Sequence, residues 1–490
     1  MRAEVTVRNA GLLFLLRGLA LAGGVLYAAL VPRSMGPEAY GAFALVTSLS
    51  VWFELASGLG LTQVISRETP LLQRMEGPSG LGRFFGSLLT LRLASGLVAS
   101  VAFFLFTRLW LQEIDVWVLA AVAATVVIQG VGATVYSFFL GLNQAARWGA
   151  NDVLSRWVPI GFLVVGYRLS GLPGACLGLL VAELIIAFVA LFWARSHLSW
   201  EGLRTGWSRL IPYLRFALGF YVSALILAVF QRSGEPLVRL FTGDYVQVAY
   251  FGLAASAITA ADTVIPQVTS AFAPFLTTLQ ALGDPDRVAR WAERLVRWLG
   301  ILGVVAIAGA FLMGSDLVLV VLGEDFAPVS VYLAILALTL IPQAVSSVSR
   351  MLAVVYVRPG EVVRASILRL ALLWILGPVL LLRLGGIGAC FAVLAATTGY
   401  AIALAWRMRR AVSYPFQRWG MALALGGIFV PLIWLRSDWW INAGLFALFL
   451  ATYAGLLLAL RLVGVDEVKA ALQVLRRRPE SRLAETPSPF

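Results

Sequence analysis

The chain has 490 residues, of which 60% are hydrophobic and only 13% charged, with a net charge of +13. Soluble domains carry roughly 25% charged residues, so this composition excludes a cytosolic enzyme, a disordered chain and a disulfide-built secreted scaffold. Strands of an outer-membrane barrel would alternate apolar and polar residues, and no such alternation is present. An all-α polytopic membrane protein remains, and its basic surplus is read as cytoplasmic loop charge rather than as a nucleic-acid footprint.

In chain order, the opening MRAEVTVRNA is followed by about twenty apolar residues. That run is long for a signal peptide and lacks a small-residue cleavage site, so it is read as the first transmembrane helix. A span needs about 20 mostly apolar residues. Fourteen stretches qualify: 11–31, 40–63, 84–107, 116–140, 148–168, 172–194, 212–231, 246–273, 297–314, 328–350, 364–383, 386–406, 418–435 and 441–462. Within the connections, DPDRVARWAERLVRW (284–298) places Val288, Trp291, Leu295 and Trp298 at helical spacing. Arg287, Arg290, Arg294 and Arg297 lie opposite, and the segment is expected to lie as a basic helix on the inner leaflet. The tail after Gly464 is polar and is expected to be a disordered cytoplasmic end.

Charge sets the orientation. With the amino terminus inside, only seven of the 38 Lys and Arg residues fall on outer segments: Arg33, Arg108, Arg168, Arg232, Arg239, Arg383 and Arg436. That bias places both termini in the cytoplasm. His197 is the single histidine, so no histidine metal cluster or triad can form, and no metal or cofactor is expected.

The chain also repeats itself. RLSGLPGACLG from Arg168 aligns with RLGGIGACF from Arg383, setting Cys176 against Cys390. Arg156 and Arg369 lie about twenty residues before each cysteine, and RSMGPEAYGAF at Arg33 is echoed by RLFTGDYVQVAYFGL at Arg239. Six spans separate these landmarks, and an even number gives parallel repeats about an axis along the membrane normal. The expected layout is two pseudo-symmetric six-helix bundles (1–200 and 201–411) around a central cavity, two further helices (412–463) and the tail (464–490). Such a layout favours alternating access over a static scaffold. The cysteines, flanked by Gly and Ala, are read as close helix packing rather than a bridge.

Nine ionisable residues fall inside predicted spans: Arg17, Glu54, Arg92, Asp152, Arg156, Glu183, Arg215, Asp262 and Arg369. Each costs roughly 2.5–3.5 kcal/mol at mid-helix, which pairing or a wet cavity must offset. Asp152 and Arg156, four apart, are expected to form a structural ion pair. Arg369 lacks such a neighbour, so its partner is Glu183 or cargo. Glu54, Glu183 and Asp262 are candidates for proton or sodium coupling, with buried ion pairs as the equal alternative. Gly23-Gly24, Pro159, Pro266, Pro342 and Pro378 are candidate kinks, for a cavity, a hinge or static packing.

The stretch VPRSMGPEAYGAFALVTSLSVWFELASGLGLTQVISRE resembles the opening of polysaccharide-biosynthesis flippases, with an Arg-x-x-Gly-Pro-x-x-Tyr-Gly turn before a helix ending in Gly-Leu. FALGFYVSAL, GDYVQVAYFGLAASAI, SAFAPFLTTL, VLGEDFAPVSVYLAIL and GGIGACFAVLA are similar to later landmarks in the family's order. This family belongs to the multidrug/oligosaccharidyl-lipid/polysaccharide exporter superfamily. The resemblance implies translocation of an undecaprenyl-pyrophosphate-linked oligosaccharide from the inner to the outer leaflet of a bacterial or archaeal cytoplasmic membrane. Membrane lipids, a glycan polymerase and glycosyltransferases are the implied partners. Family cavities are lined largely by spans one, two, seven and eight. Arg17 and Arg215 are therefore expected to bind the pyrophosphate, since Arg stays charged and binds phosphate bidentately. Arg92 and Arg369 are further binding candidates; snorkelling is the alternative for Arg17. A peptidoglycan-precursor flippase, which would carry more cations on spans two and eight, and a cation-coupled multidrug antiporter are alternatives. A glycan polymerase or ligase fits less well, because the outer connections are short and His197 is on the inner side.

Overall fold

In hydrocarbon no water can satisfy a backbone amide, so apolar runs of this length fold as helices. The computed structural model describes residues 3–198, 202, 210, 213, 221–222, 225–409 and 416–463. No strand occurs among them. Among the described residues ten helices are long and apolar enough to cross a membrane, so the chain is an all-helical multi-pass membrane protein.

Helix α1 (Ala3–Ser57) holds the first two predicted spans, which part at Gly36 (φ 75°, ψ 167°). The predicted span 40–63 ends early, at Ser57. Leu59 (φ 46°) and Gly60 (φ 73°) then turn the chain into α2 (Leu61–Met75). The connection expected there is thus a helix, whose Leu61, Val64 and Ile65 bury themselves against Phe85, Val135 and Phe139. Helices α3 (Gly77–Trp110) and α4 (Val116–Gly141) follow. Helix α5 (Ala145–Ala194) again holds two predicted spans, broken at Ser170 and Gly171 (φ 65°).

Span seven is described only in part, with residues 225–231 helical. Helix α6 (Gly234–Thr242) caps it, and α7 (Tyr245–Asp262) and α8 (Val264–Ala281) share span eight. Helix α9 (Pro285–Val321) is continuous over 37 residues. The segment expected to lie flat on the inner leaflet is therefore the first part of span nine. Val288, Ala292, Leu295, Val296 and Leu299 give it a buried stripe that runs unbroken into the membrane. Trp291 packs on Phe275 at 5.4 Å, Trp298 is exposed, and Glu293 and Arg297 are buried. The remaining helices are α10 (Val329–Ala337), α11 (Leu340–Val355), α12 (Pro359–Leu384), α13 (Gly386–Met408), α14 (Phe416–Gly426), α15 (Phe429–Leu432) and α16 (Trp439–Ala459).

The helices run through Gly23-Gly24, Pro159 and Pro378. They break at Asp262–Thr263 and Leu338–Thr339, just before Pro266 and Pro342 as expected, and also at Gly36, Gly171 and Gly426–Gly427. A helix tolerates a proline whose clash is relieved by a slight bend, whereas a positive φ or a lost turn ends it.

The internal repeat is visible in the turns. Counted from the aligned cysteines, Gly171 (φ 65°) matches Gly385 (φ 60°), and Gly174 matches Gly388. A Cβ on Gly174 would lie 2.0 Å from the Gly166 carbonyl oxygen, and one on Gly388 would lie 2.2 Å from that of Leu380. Each turn thus folds a helix hairpin whose backbones touch, which only glycine permits. Both cysteines are buried and free.

The helices cluster into two compact units. One contains Met1–Thr259, Leu317–Leu336 and Val362–Tyr400, and the other Ala260–Asp316, Ala337–Glu361 and Ala401–Phe490. In the first, Phe85 stacks on Phe138 at 4.2 Å within the α2–α5 core. In the second, Tyr453 donates to the Ala422 carbonyl (2.9 Å), Asn442 to Asp316 (2.7 Å), and Arg407 pairs with Glu361 (2.5 Å).

Candidate functional site

A helix end leaves its last carbonyls without donors and bears partial negative charge. Helix α1 ends at Ser57 deep in the first unit, and Arg92 of α3 meets it there. Its Nη1 donates to Ser57 Oγ (2.9 Å), both Nη groups to the Glu54 carbonyl (3.3 Å), and Nη2 to the Glu54 carboxylate. Arg92 is 3% exposed. Gly130 of α4 makes room for it, since a Cβ there would lie 2.6 Å from Nε. Ser95 donates to the Ser57 carbonyl at 2.8 Å, and Tyr221 to that of Ala56 at 2.7 Å. Arg92 thus caps α1 and neutralises Glu54, so its donors point into the protein. Beyond Glu54, Glu183 of α5 accepts from Gln129 Nε2 at 2.9 Å, a neutral partner.

Arg369, which matches Arg156 in the register of the repeat, is buried and donates to Thr397 Oγ1 at 3.1 Å. Its guanidinium lies 3.8 Å from the Phe230 ring centre and 5.2 Å from that of Tyr400, a cation held between aromatic faces.

The expected ion pair of Asp152 with Arg156 is not formed. Both side chains are exposed on α5, and no salt bridge joins them among the described residues. The reason is local: the neighbouring Trp157 turns toward α1, donating to the Leu19 carbonyl at 2.9 Å, and a Cβ on Gly23 would lie 3.1 Å from Arg156 Cβ. Arg156 is thereby set beside α1, where Arg17 is exposed six residues before Gly23. Tyr167 donates to the Met35 carbonyl at 3.0 Å, so the α1 and α5 breaks lie at one level. Measured back from that tie at 1.5 Å per residue, Arg156 lies about 17 Å along α5 and Arg17 about 27 Å along α1.

Asp262 is half-buried where α7 gives way to α8, four residues before Pro266, at the break expected there. Arg215 lies outside the described residues.

Glu235 of α6 escaped the sequence reading. It sits in a connection that pattern alone treats as polar, yet it is 4% exposed and its Oε2 has no hydrogen-bond partner. Burial pushes its carboxyl up, against the opposing pull of Arg232. Only the apolar Pro236-Leu237-Val238 that follows it hints at a buried helix.

A cavity of about 380 Å³ opens near the α1 and α5 breaks, walled by Ala39, Ala42, Val118 and Pro173, with Glu113 and Tyr245 among its lining residues.

A family model described as "Polysaccharide biosynthesis protein" matches residues 30–331. The chain belongs to this polysaccharide biosynthesis protein family. No curated protein matches it in sequence. Its fold is similar to that of a lipid II flippase, MurJ, in an inward closed conformation. That match has a TM-score of 0.72 at 14% identity, covering 92% of this chain and 98% of the other. An inward-facing multidrug resistance MATE family transporter of the MOP superfamily matches with a TM-score of 0.62 at 15% identity, covering 81% and 94%. A Vibrio cholerae MATE transporter mutant matches with a TM-score of 0.52 at 16% identity, covering 84% and 100%. This member of the polysaccharide biosynthesis family therefore has the fold of MOP-superfamily carriers.

Proposed function

We propose that the protein is a carrier, not an enzyme, that moves a lipid-linked oligosaccharide on a polyprenyl pyrophosphate from the inner to the outer leaflet for surface polysaccharide synthesis. The observation that carries this reading is the pair Arg17 and Arg156. Both are exposed on touching transmembrane helices, and neither has an ion-pair partner among the described residues. Left in hydrocarbon the two would cost about 5–7 kcal/mol. A diphosphate headgroup offsets that cost, because guanidinium groups bind its oxygens bidentately. With the amino terminus inside, Arg17 stands near the inner edge and Arg156 about 10 Å deeper. An anionic head entering from the cytoplasmic leaflet would meet them in turn while its tail stays in lipid.

Arg92 and Arg369, engaged within the protein, serve the architecture in this scheme, and Arg215, outside the described residues, is a further headgroup ligand by its sequence position on span seven. Glu183, hydrogen-bonded to a neutral amide, is the favoured proton- or sodium-coupling group over Glu54, with Asp262 at a helix break as a second. The polymerase and glycosyltransferases that make and use the lipid-linked repeat are the partners, in a cytoplasmic membrane with both termini inside.

The test uses purified protein in proteoliposomes carrying a fluorescent polyprenyl-pyrophosphate oligosaccharide on one leaflet. Parent protein should move it across, and Arg17→Ala with Arg156→Ala should abolish the movement without loss of folded protein. Full transport by that double variant would refute the assignment.

A further inference from the structure

The echo between Arg33 and Arg239 has a structural counterpart. Each arginine precedes a glycine of positive φ, Gly36 (75°) and Gly243 (68°). Arg33, in the first repeat, reaches the end of α9 in the second. Its Nη2 donates to the Val320 carbonyl at 2.7 Å, in the last turn of the helix, and at 3.4 Å to the Leu319 carbonyl, which also accepts from the Gly323 N–H. Arg239, in the second repeat, reaches the α3–α4 connection of the first. Its Nη2 lies 2.5 Å from Glu113 Oε1, its guanidinium stacks 4.0 Å from the Tyr245 ring centre, and its Nη1 donates to the Gly243 carbonyl. Tyr245 donates to the same Glu113 oxygen at 2.7 Å. All these residues belong to one compact unit, which draws segments from both repeats.

We propose that Arg33 and Arg239 form a reciprocal latch, each repeat's arginine closing on the other repeat's outer connection and sealing the outer face of the carrier. The inference rests on the carrier reading above. Duplication explains the symmetry, since one ancestral arginine before one glycine turn now faces two different acceptors. The chemistry suits opening as well as closing. Arg33 is held by neutral carbonyls alone, and the Glu113 side chain is 45% exposed. An ion pair so open to water is weak enough to break and re-form within a transport cycle. Glu113 and Tyr245, the partners of Arg239, also line the cavity walled by Ala39, Ala42 and Val118. Opening the latch exposes that wall.

The test places a reporter there. In intact cells, Ala42→Cys in a Cys176→Ala, Cys390→Ala background is treated with a membrane-impermeant maleimide. Labelling should be slow with the latch intact. Arg33→Gln, Arg239→Gln and Glu113→Gln should each raise the rate by roughly tenfold, a population shift of one decade. Glu113→Arg with Arg239→Glu should return it toward the parental rate. Arg33→Lys and Arg239→Lys, which keep the charge but lose the planar fork, replace any Gln variant that does not fold and should give intermediate rates. Parental rates in both arginine variants, or labelling only after permeabilisation, would overturn the latch. Labelling needs no substrate, so the carrier reading fails separately, if the parent protein leaves the pyrophosphate lipid on its starting leaflet.

Discussion

Arg92→Met separates architecture from substrate binding. The substitution keeps an unbranched apolar stem on α3 but removes every donor that closes the end of α1. Ser57 Oγ, the Glu54 carbonyl and the Glu54 carboxylate all lose their cation. Removing one partner of a buried pair costs about 3–5 kcal/mol, because the other charge stays behind. The Glu54 side chain is 19% exposed, which points to the lower end, about 3 kcal/mol. Glu54→Gln should cost less, since an amide oxygen still accepts from the guanidinium. Arg92→Met with Glu54→Gln should recover at least about 1 kcal/mol relative to Arg92→Met alone, the signature of a coupled pair. Denaturant unfolding in detergent, followed by tryptophan fluorescence, measures all three. An Arg92→Met protein as stable as its parent but inactive in transport would refute the capping role and return Arg92 to the substrate path.

Gly174→Ala sets a methyl group 2.0 Å from the Gly166 carbonyl oxygen and should cost about 1–3 kcal/mol and much of the folded yield, whereas Gly161→Ala, with nothing within 4 Å, should be neutral by gel filtration. Arg369→Lys loses the planar stacking on Phe230 and should lower stability by about 1–2 kcal/mol in the same unfolding assay. At Glu113, partial burial raises the carboxyl, but hydrogen bonds from Tyr245 and Arg239 outweigh it and hold it below the usual carboxylate range. A depressed carboxyl contributes stability above its unfolded pKa of about 4.3 and loses it as pH falls through the lower folded value. The stability difference between parent and Glu113→Gln, read as a melting temperature, should therefore be flat from about pH 8 to pH 5 and shrink below about pH 4.

Spans, helix class and the repeat were legible in the sequence because each rests on local chemistry. Twenty apolar residues demand a helix in lipid whatever surrounds them. The Gly171 and Gly385 turns announce themselves by composition, as does the Gly36 turn between the prolines of α1. Spacing did not extend to partners. Asp152 and Arg156 stand four apart, yet Trp157 anchors their helix on α1 and both charges are exposed rather than paired. The Arg-rich start of α9 has the pattern of a surface helix, but packing along Val288, Ala292 and Leu295 carries it straight into the membrane. Glu235 looked like a loop residue until α6 buried it. Helix formation is decided within a turn or two of chain, whereas the fate of a charge depends on groups brought together from distant helices. Arg92 and Glu54, or Arg239 and Glu113, meet only once the bundle has closed.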